Sequence, residues 1–196
     1  CWATISAMTV ITDRPSQMAL PDDVTLVATR LHELLVEGGA FDAIYRHILA
    51  APGKRLRAGL VLACSRLLPT PPVSLLDAVD LACAMEMLHE ASLVHDDICD
   101  GSLLRRDAPS VAAAFGIRTA ARAGFHLAGN ALHAVARVLS DNPEAFARLG
   151  EIPGVTYLDQ LSDLSFGQLV ETLPPAADAA ALRRHYEVVA GAKTGT

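Results

Sequence analysis

The chain has 196 residues, 52% of them hydrophobic, 19% charged and only 5% aromatic, with a formal net charge of -6. That is enough chain for one domain with a substantial core, and its alanine- and leucine-rich, aromatic-poor make-up favours helices over a β-sandwich. The acidic balance (pI about 5.6) leaves no basic footprint for nucleic acid, and no segment stays apolar over the roughly 18 residues a membrane span needs.

Met8 reads as a natural start, and residues 1–21 as an N-terminal tail ahead of a helical domain over 22–196. The tail lacks the basic opening of a secretion signal. Pro21-Asp22-Asp23 predicts a helix start, with acids at the positive end of the dipole. Leu26, Val27, Leu31, Leu34 and Leu35 carry its apolar face, and Gly38-Gly39 stops it. A short helix is expected over 41–49 and a third over 54–68, followed by a rigid proline connector at 69–72. Ser74 is placed to cap a long helix running to about Asp100, with Asp77 three residues on as an acidic capping box. This helix is apolar almost all round, so it belongs at the centre of a bundle. Further helices are expected near 117–139, 143–149, 153–171 and 177–192, with no strand alternation anywhere. The four cysteines show no metal-binding spacing. Those at 64, 83 and 99 fall in helical apolar patterns, which predicts small buried thiols in a reducing cytoplasm. A mean hydropathy of +0.32 fits a protein that also buries a face against a partner.

The chemistry concentrates at the end of the central helix. Asp96, Asp97 and Asp100 sit late in it, and Arg105-Arg106 follow within a few residues. Asp96 and Asp100 stack one turn apart, and crowded carboxylates there would repel one another unless a hard cation joined them. Mg²⁺ takes one or two carboxylates plus substrate phosphates, and guanidinium forks match phosphate oxygens. The pattern describes a diphosphate site. His89, two turns before Asp96, faces the same side, whereas His95 is turned about 100° away and is expected to bond within the core. Only two lysines occur against fourteen arginines, Lys54 and Lys193. Gly53-Lys54-Arg55-Leu56-Arg57 opens the third helix, and two cations at a helix N-terminus point to an anionic ligand.

Together these motifs resemble the trans-isoprenyl diphosphate synthases, also called polyprenyl synthetases, over residues 22–196. Gly53 to Arg57 resembles the family's entry motif. Glu86 to His89, the Asp96-Asp97-x-x-Asp100 cluster and Arg105-Arg106 resemble its first aspartate-rich region, with Gly167-Gln168 and Lys193-Thr194 in order downstream. The resemblance implies an all-α, isoprenoid-synthase-like bundle around a central apolar cavity, and a homodimer. It also implies a condensation of isopentenyl diphosphate with an allylic prenyl diphosphate. Lys54, Arg57, His89 and Arg106 would bind the isopentenyl diphosphate. Asp96 and Asp100, supported by Asp97, would hold Mg²⁺ on the allylic diphosphate, which Arg105, Lys193 and Thr194 would contact. Gln168 and Thr194 would turn oxygen dipoles toward the allylic cation. Small residues at Ala91 and Ser92, just before the aspartates, imply room for a product of C20 or longer.

Three departures stand out. The family's second aspartate-rich motif is missing after Thr194, which is expected to mean that this is the N-terminal portion of the family fold. A non-catalytic partner subunit is the alternative reading. A terpene cyclase is a third, disfavoured by the intact Lys54, Arg57 and His89 set. Ala58 stands where proline is usual, and Asn130 where aspartate is common.

Overall fold

The computed structural model describes residues 21–51, 53–67, 73–149, 166–167, 169–171, 173 and 178–194. The chain divides into two compact units, Cys1–Asn142 and Pro143–Thr196.

The first unit is a helical bundle built on one central helix. Helix α1 (Pro21–Leu35) opens with Asp22 and Asp23 in its first turn, and buries Val27, Leu31 and Leu35. These lie four residues apart, a narrower stripe than expected, with Leu26 partly exposed. Gly38 then takes a positive φ of 84°. Asp42, which opens α2 (Asp42–Ala50), accepts from the backbone N–H groups of Gly38 and Gly39 at 3.2 and 3.0 Å. Helix α3 spans Leu56–Ser65 and α4 spans Leu75–Cys99. Ser74 caps α4 as expected, accepting from the N–H of Asp77 at 3.1 Å. Its hydroxyl also donates to the Asp77 carboxylate, which holds that carboxyl below the usual range. Helix α4 buries residues on every side and packs against α1, α3 and two later helices. Its central place follows from its lack of a polar face.

After α4 comes a minimal β-hairpin, β1 (Leu104–Arg105) paired antiparallel with β2 (Ala108–Pro109). It was not legible as strand alternation, because each strand is two residues long. Ser110 then caps the short α5 (Val111–Phe115) and pins the hairpin by donating to the Ser102 carbonyl at 2.7 Å. Helix α6 (Ile117–Asp141) lays a stripe of small residues, Ala120, Ala123, Gly124 and Ala131, along α4, with Leu127 buried among them. The close approach needs the glycine: a Cβ at Gly124 would stand 2.5 Å from the His95 ring. As expected, His95 bonds within the core, its Nδ1 donating to the Ala91 carbonyl at 2.9 Å. Asp80 ties three helices by accepting from Arg30 of α1 at 2.7 Å and from Arg137 of α6.

In the second unit α7 (Pro143–Leu149) and α8 (Ala179–Thr194) match the expected helices. Of the helix expected over 153–171, only 166–167 and 169–171 are described, and they are helical. The connector 69–72 and the tail 1–20 lie outside the described residues. Two expectations need correction. Helix α3 begins at Leu56, not Lys54, because Arg55 takes a left-handed conformation (φ 50°) as its N-cap. Of the described cysteines only Cys83 is buried, its thiol pushed up to about 12 by burial. Cys64 and Cys99 are exposed, since each sits on the outer side of its helix end. Among the described residues, no helix is long and apolar enough to cross a membrane.

Candidate active site

The last turn of α4 concentrates negative charge where the helix dipole is already negative. Asp96, Asp97 and Asp100 fall there, and the turn holds no basic residue. The helix closes in a Schellman motif: Ser102 N–H donates to the Asp97 carbonyl at 2.9 Å and Gly101 N–H to Ile98 at 3.4 Å. Gly101 supplies the required positive φ of 64°. This ending leaves Asp100 exposed as the C-cap and Asp96 half-buried one turn earlier.

Asp97, expected beside them as a metal ligand, turns inward instead. It is 3% exposed, and its carboxylate accepts from Arg105 Nε at 3.1 and 3.2 Å and from Nη2. The reason is the helical period: one residue after Asp96 is 100° round, on the core side. The pairing raises the already high pKa of Arg105 further. Arg105 also stands 4.0 Å from Asp96, so it braces the acidic turn. Among the described residues, no three His, Cys, Asp or Glu side chains form a closed metal cage. The donor set that remains, two carboxylates one turn apart at a negative helix end, fits a hard divalent ion completed by ligand oxygens and water.

The hairpin turn brings in the second arginine. Arg106 and Asp107 both have positive φ, 51° and 65°, as a two-residue type I′ turn requires. Glycine or asparagine is the usual choice there, and side chains in this region cost roughly 1–3 kcal/mol each. The strain is offset by what it aims. Arg106 Nη1 donates to Glu90 at 2.9 Å and to the Ala51 carbonyl at 2.7 Å. Its guanidinium lies against Gly53, where a Cβ would come within 3.1 Å of Nη2.

Lys54 and Arg57, exposed at the start of α3, do not share a helical face, since Lys54 precedes the cap. Nor is an external anion needed at this N-terminus. Glu86 of α4 supplies it, accepting from the Ala58 N–H at 3.1 Å and from Arg55 Nη1 at 3.0 Å. A proline at position 58 would have no such N–H to give, so this departure from the usual motif is used. His89 is half-buried. Burial, followed by the charges of Arg57, Arg106 and Arg105, holds it below its ordinary value, against the opposing pull of Glu86. Arg105 thus sits on the acidic turn and Arg106 on Glu90 beside it, while Arg57, Arg105 and Arg106 all act on the charge of His89, two turns before Asp96. Lys193 and Thr194 end α8 in the second unit, and their side chains, like Gln168, lie outside the described residues.

Sequence reasoning passed over Arg55 and Glu90. Glu90 carried a signal, a charged residue on an apolar helix next to His89. Arg55 carried none beyond its place in the entry motif.

A family model described as Polyprenyl synthetase matches residues 39–196. The chain is 33% identical over 151 residues to a nonaprenyl diphosphate synthase of Mycobacterium tuberculosis, covering 76% of this chain and 41% of that protein. It is 33% identical over 174 residues to a geranylgeranyl diphosphate synthase of Pantoea ananas, covering 81% and 54%. Among solved structures, a geranylgeranyl pyrophosphate synthetase from Pyrococcus horikoshii superposes with a TM-score of 0.70 at 30% identity, covering 89% of this chain and 51% of that one. The chain spans about half the length of the curated relatives it matches. The all-α architecture is that of the isoprenyl synthases, and the chain belongs to the polyprenyl synthetase family.

Proposed function

We propose that this chain forms the diphosphate-binding half of a trans-prenyltransferase that joins isopentenyl diphosphate to an allylic prenyl diphosphate. The observation that carries the reading is the juxtaposition at the end of α4: an acidic turn with Arg105 on it and Arg106 held on Glu90 beside it. Asp96 and Asp100 would hold Mg²⁺, which when bound neutralises charge on the leaving allylic diphosphate. Asp97 acts through Arg105, fixing it between the acidic turn and that diphosphate. Lys54, Arg57, His89 and Arg106 take the isopentenyl diphosphate, and their charges orient its double bond for attack on the allylic carbon. Lys193, Thr194 and Gln168 are proposed on motif order alone to complete the allylic side. The small Ser92, half-buried one turn before Asp96, supports a product of C20 or longer.

Free thiols at all three described cysteines support a reducing, cytoplasmic setting. Phe125 and Ile117, 80% and 63% exposed on α6, support a homodimer through the bundle helices. A second reading, a partner subunit of a two-component synthase, is favoured by 35% identity over 127 residues to a heptaprenyl diphosphate synthase component 2 of Geobacillus stearothermophilus.

The test is isopentenyl diphosphate consumption with Mg²⁺ and farnesyl diphosphate, with products extracted and sized. Elongated prenyl diphosphates, lost in Asp96→Asn, are expected. A cyclic hydrocarbon formed without isopentenyl uptake would replace this reading with the cyclase. Turnover that appears only when a second polypeptide is added would select the partner subunit.

A further inference from the structure

We propose that Glu90, braced by Arg55, is a positioning residue that aims the Arg106 guanidinium at the ligand diphosphate. The inference rests on reading Arg106 as a diphosphate ligand.

Glu90 is buried on α4. Its Oε1 is 2.9 Å from Arg106 Nη1 and 3.7 Å from Arg55 Nη1, so one carboxylate oxygen lies between two guanidiniums. Arg106 Nη1 is held a second time by the Ala51 carbonyl at 2.7 Å, and its flat face rests on Gly53. Anchored at one nitrogen by two acceptors, the guanidinium cannot swing freely about its long stem. That stem would otherwise lose much rotamer entropy on meeting a ligand.

Arg55 makes the anchor possible. Glu86 and Glu90 stand one turn apart on α4, where two buried carboxylates would repel one another. Arg55, with its side chain 2% exposed, donates to Glu86 and sits beside Glu90. The two acids and two arginines then sum to zero charge. Arg55 is costly in itself: its backbone is left-handed, and its buried Nε has no hydrogen-bond partner among the described residues. An unsatisfied buried donor and a strained backbone both oppose folding. Their presence together under a candidate ligand arginine fits a device kept for placement and not for stability.

Two conservative variants separate placement from charge. Glu90→Gln keeps the reach and an accepting oxygen but removes the charge. Glu90→Asp keeps the charge but withdraws the carboxylate by one methylene. The readout is calorimetric titration of the full chain with isopentenyl diphosphate, with Mg²⁺ present and the melting temperature followed in parallel. Glu90→Asp is expected to raise Kd about tenfold, the worth of one charge-assisted hydrogen bond, and Glu90→Gln less than about threefold. Arg106→Ala is the control and should raise Kd at least tenfold. If Arg106→Ala weakens binding while Glu90→Asp does not, the positioning role falls and the ligand reading stands. Equal losses in Asp and Gln also overturn it, because charge and not placement would then matter. If Arg106→Ala leaves Kd unchanged, the ligand reading itself falls, and the inference with it.

Discussion

Gly53 and Arg106 are in direct contact: a Cβ on Gly53 would stand 3.1 Å from Nη2 and 3.3 Å from Cζ. The entry-motif glycine is therefore a platform for a guanidinium that arrives from a hairpin fifty-three residues later. Its neighbour is the end of a long side chain held by two acceptors, so an added methyl would push the guanidinium off Glu90 and Ala51 and leave the fold intact. Gly53→Ala is expected to raise the Kd for isopentenyl diphosphate several-fold. The melting temperature should change by less than about 3 °C, as for a substitution outside the core. A large drop in melting temperature with affinity unchanged would refute the platform.

Gly124→Ala should behave in the opposite way. The new methyl would meet the His95 ring at 2.5 Å, and that ring is tied to Ala91. Helices α4 and α6 must then separate. Overpacking of this kind costs about 2 kcal/mol, more than the roughly 1 kcal/mol that alanine gains in helix propensity. Urea unfolding should show the net loss, and His95→Ala in the same chain should restore part of it. Additive losses would place the strain elsewhere.

His89 makes stability depend on pH. Burial first, then Arg57, Arg106 and Arg105, hold its pKa below 6.5, with Glu86 opposing them. The unfolded chain takes up this proton at a higher pH than the folded one does. Stability from this group is therefore fully present above pH 6.5 and falls as pH drops below it, until folded His89 is itself protonated. Urea midpoints measured from about pH 7 to 5 should decline less steeply in His89→Gln than in the parent. A bound dianion would reverse the electrostatics, so the ring signal of His89 should titrate at higher pH once inorganic diphosphate is added. An unmoved titration would remove His89 from the diphosphate site.

Product length should respond to Ser92 and not to Ala91. Ala91 is 3% exposed and one turn before His95, on the side that faces α6. Ser92 is half-buried and one turn before Asp96, on the side of the acidic turn. Ala91→Phe is expected to overpack the bundle and cost roughly 1–3 kcal/mol. Ser92→Phe should shorten the longest prenyl product with little loss of stability, as read by sizing extracted products beside a melting curve. A shorter product from Ala91→Phe in a chain of undiminished stability would reverse this assignment.

Much of this molecule is written in short-range pattern. The buried position of α4 follows from its lack of a polar face, its start from Ser74 and Asp77, and the acidic turn from three aspartates spaced over one turn. Each depends on residues within about one or two turns of each other, where period and capping chemistry decide. The ion pairs that give the site its shape are not of this kind. Glu86 reaches the N–H of Ala58 across 28 positions and Arg55 across 31, while Arg106 meets Ala51 across 55. Which acid a guanidinium meets depends on how α3, α4 and the hairpin pack, and a single chain gives no local signal for that. For the same reason only the tertiary structure shows Asp97 turned to Arg105 and two arginines held in left-handed conformations. The sequence by itself determined the described helices other than the five-residue α5 and where charge gathers; packing decided which charges meet.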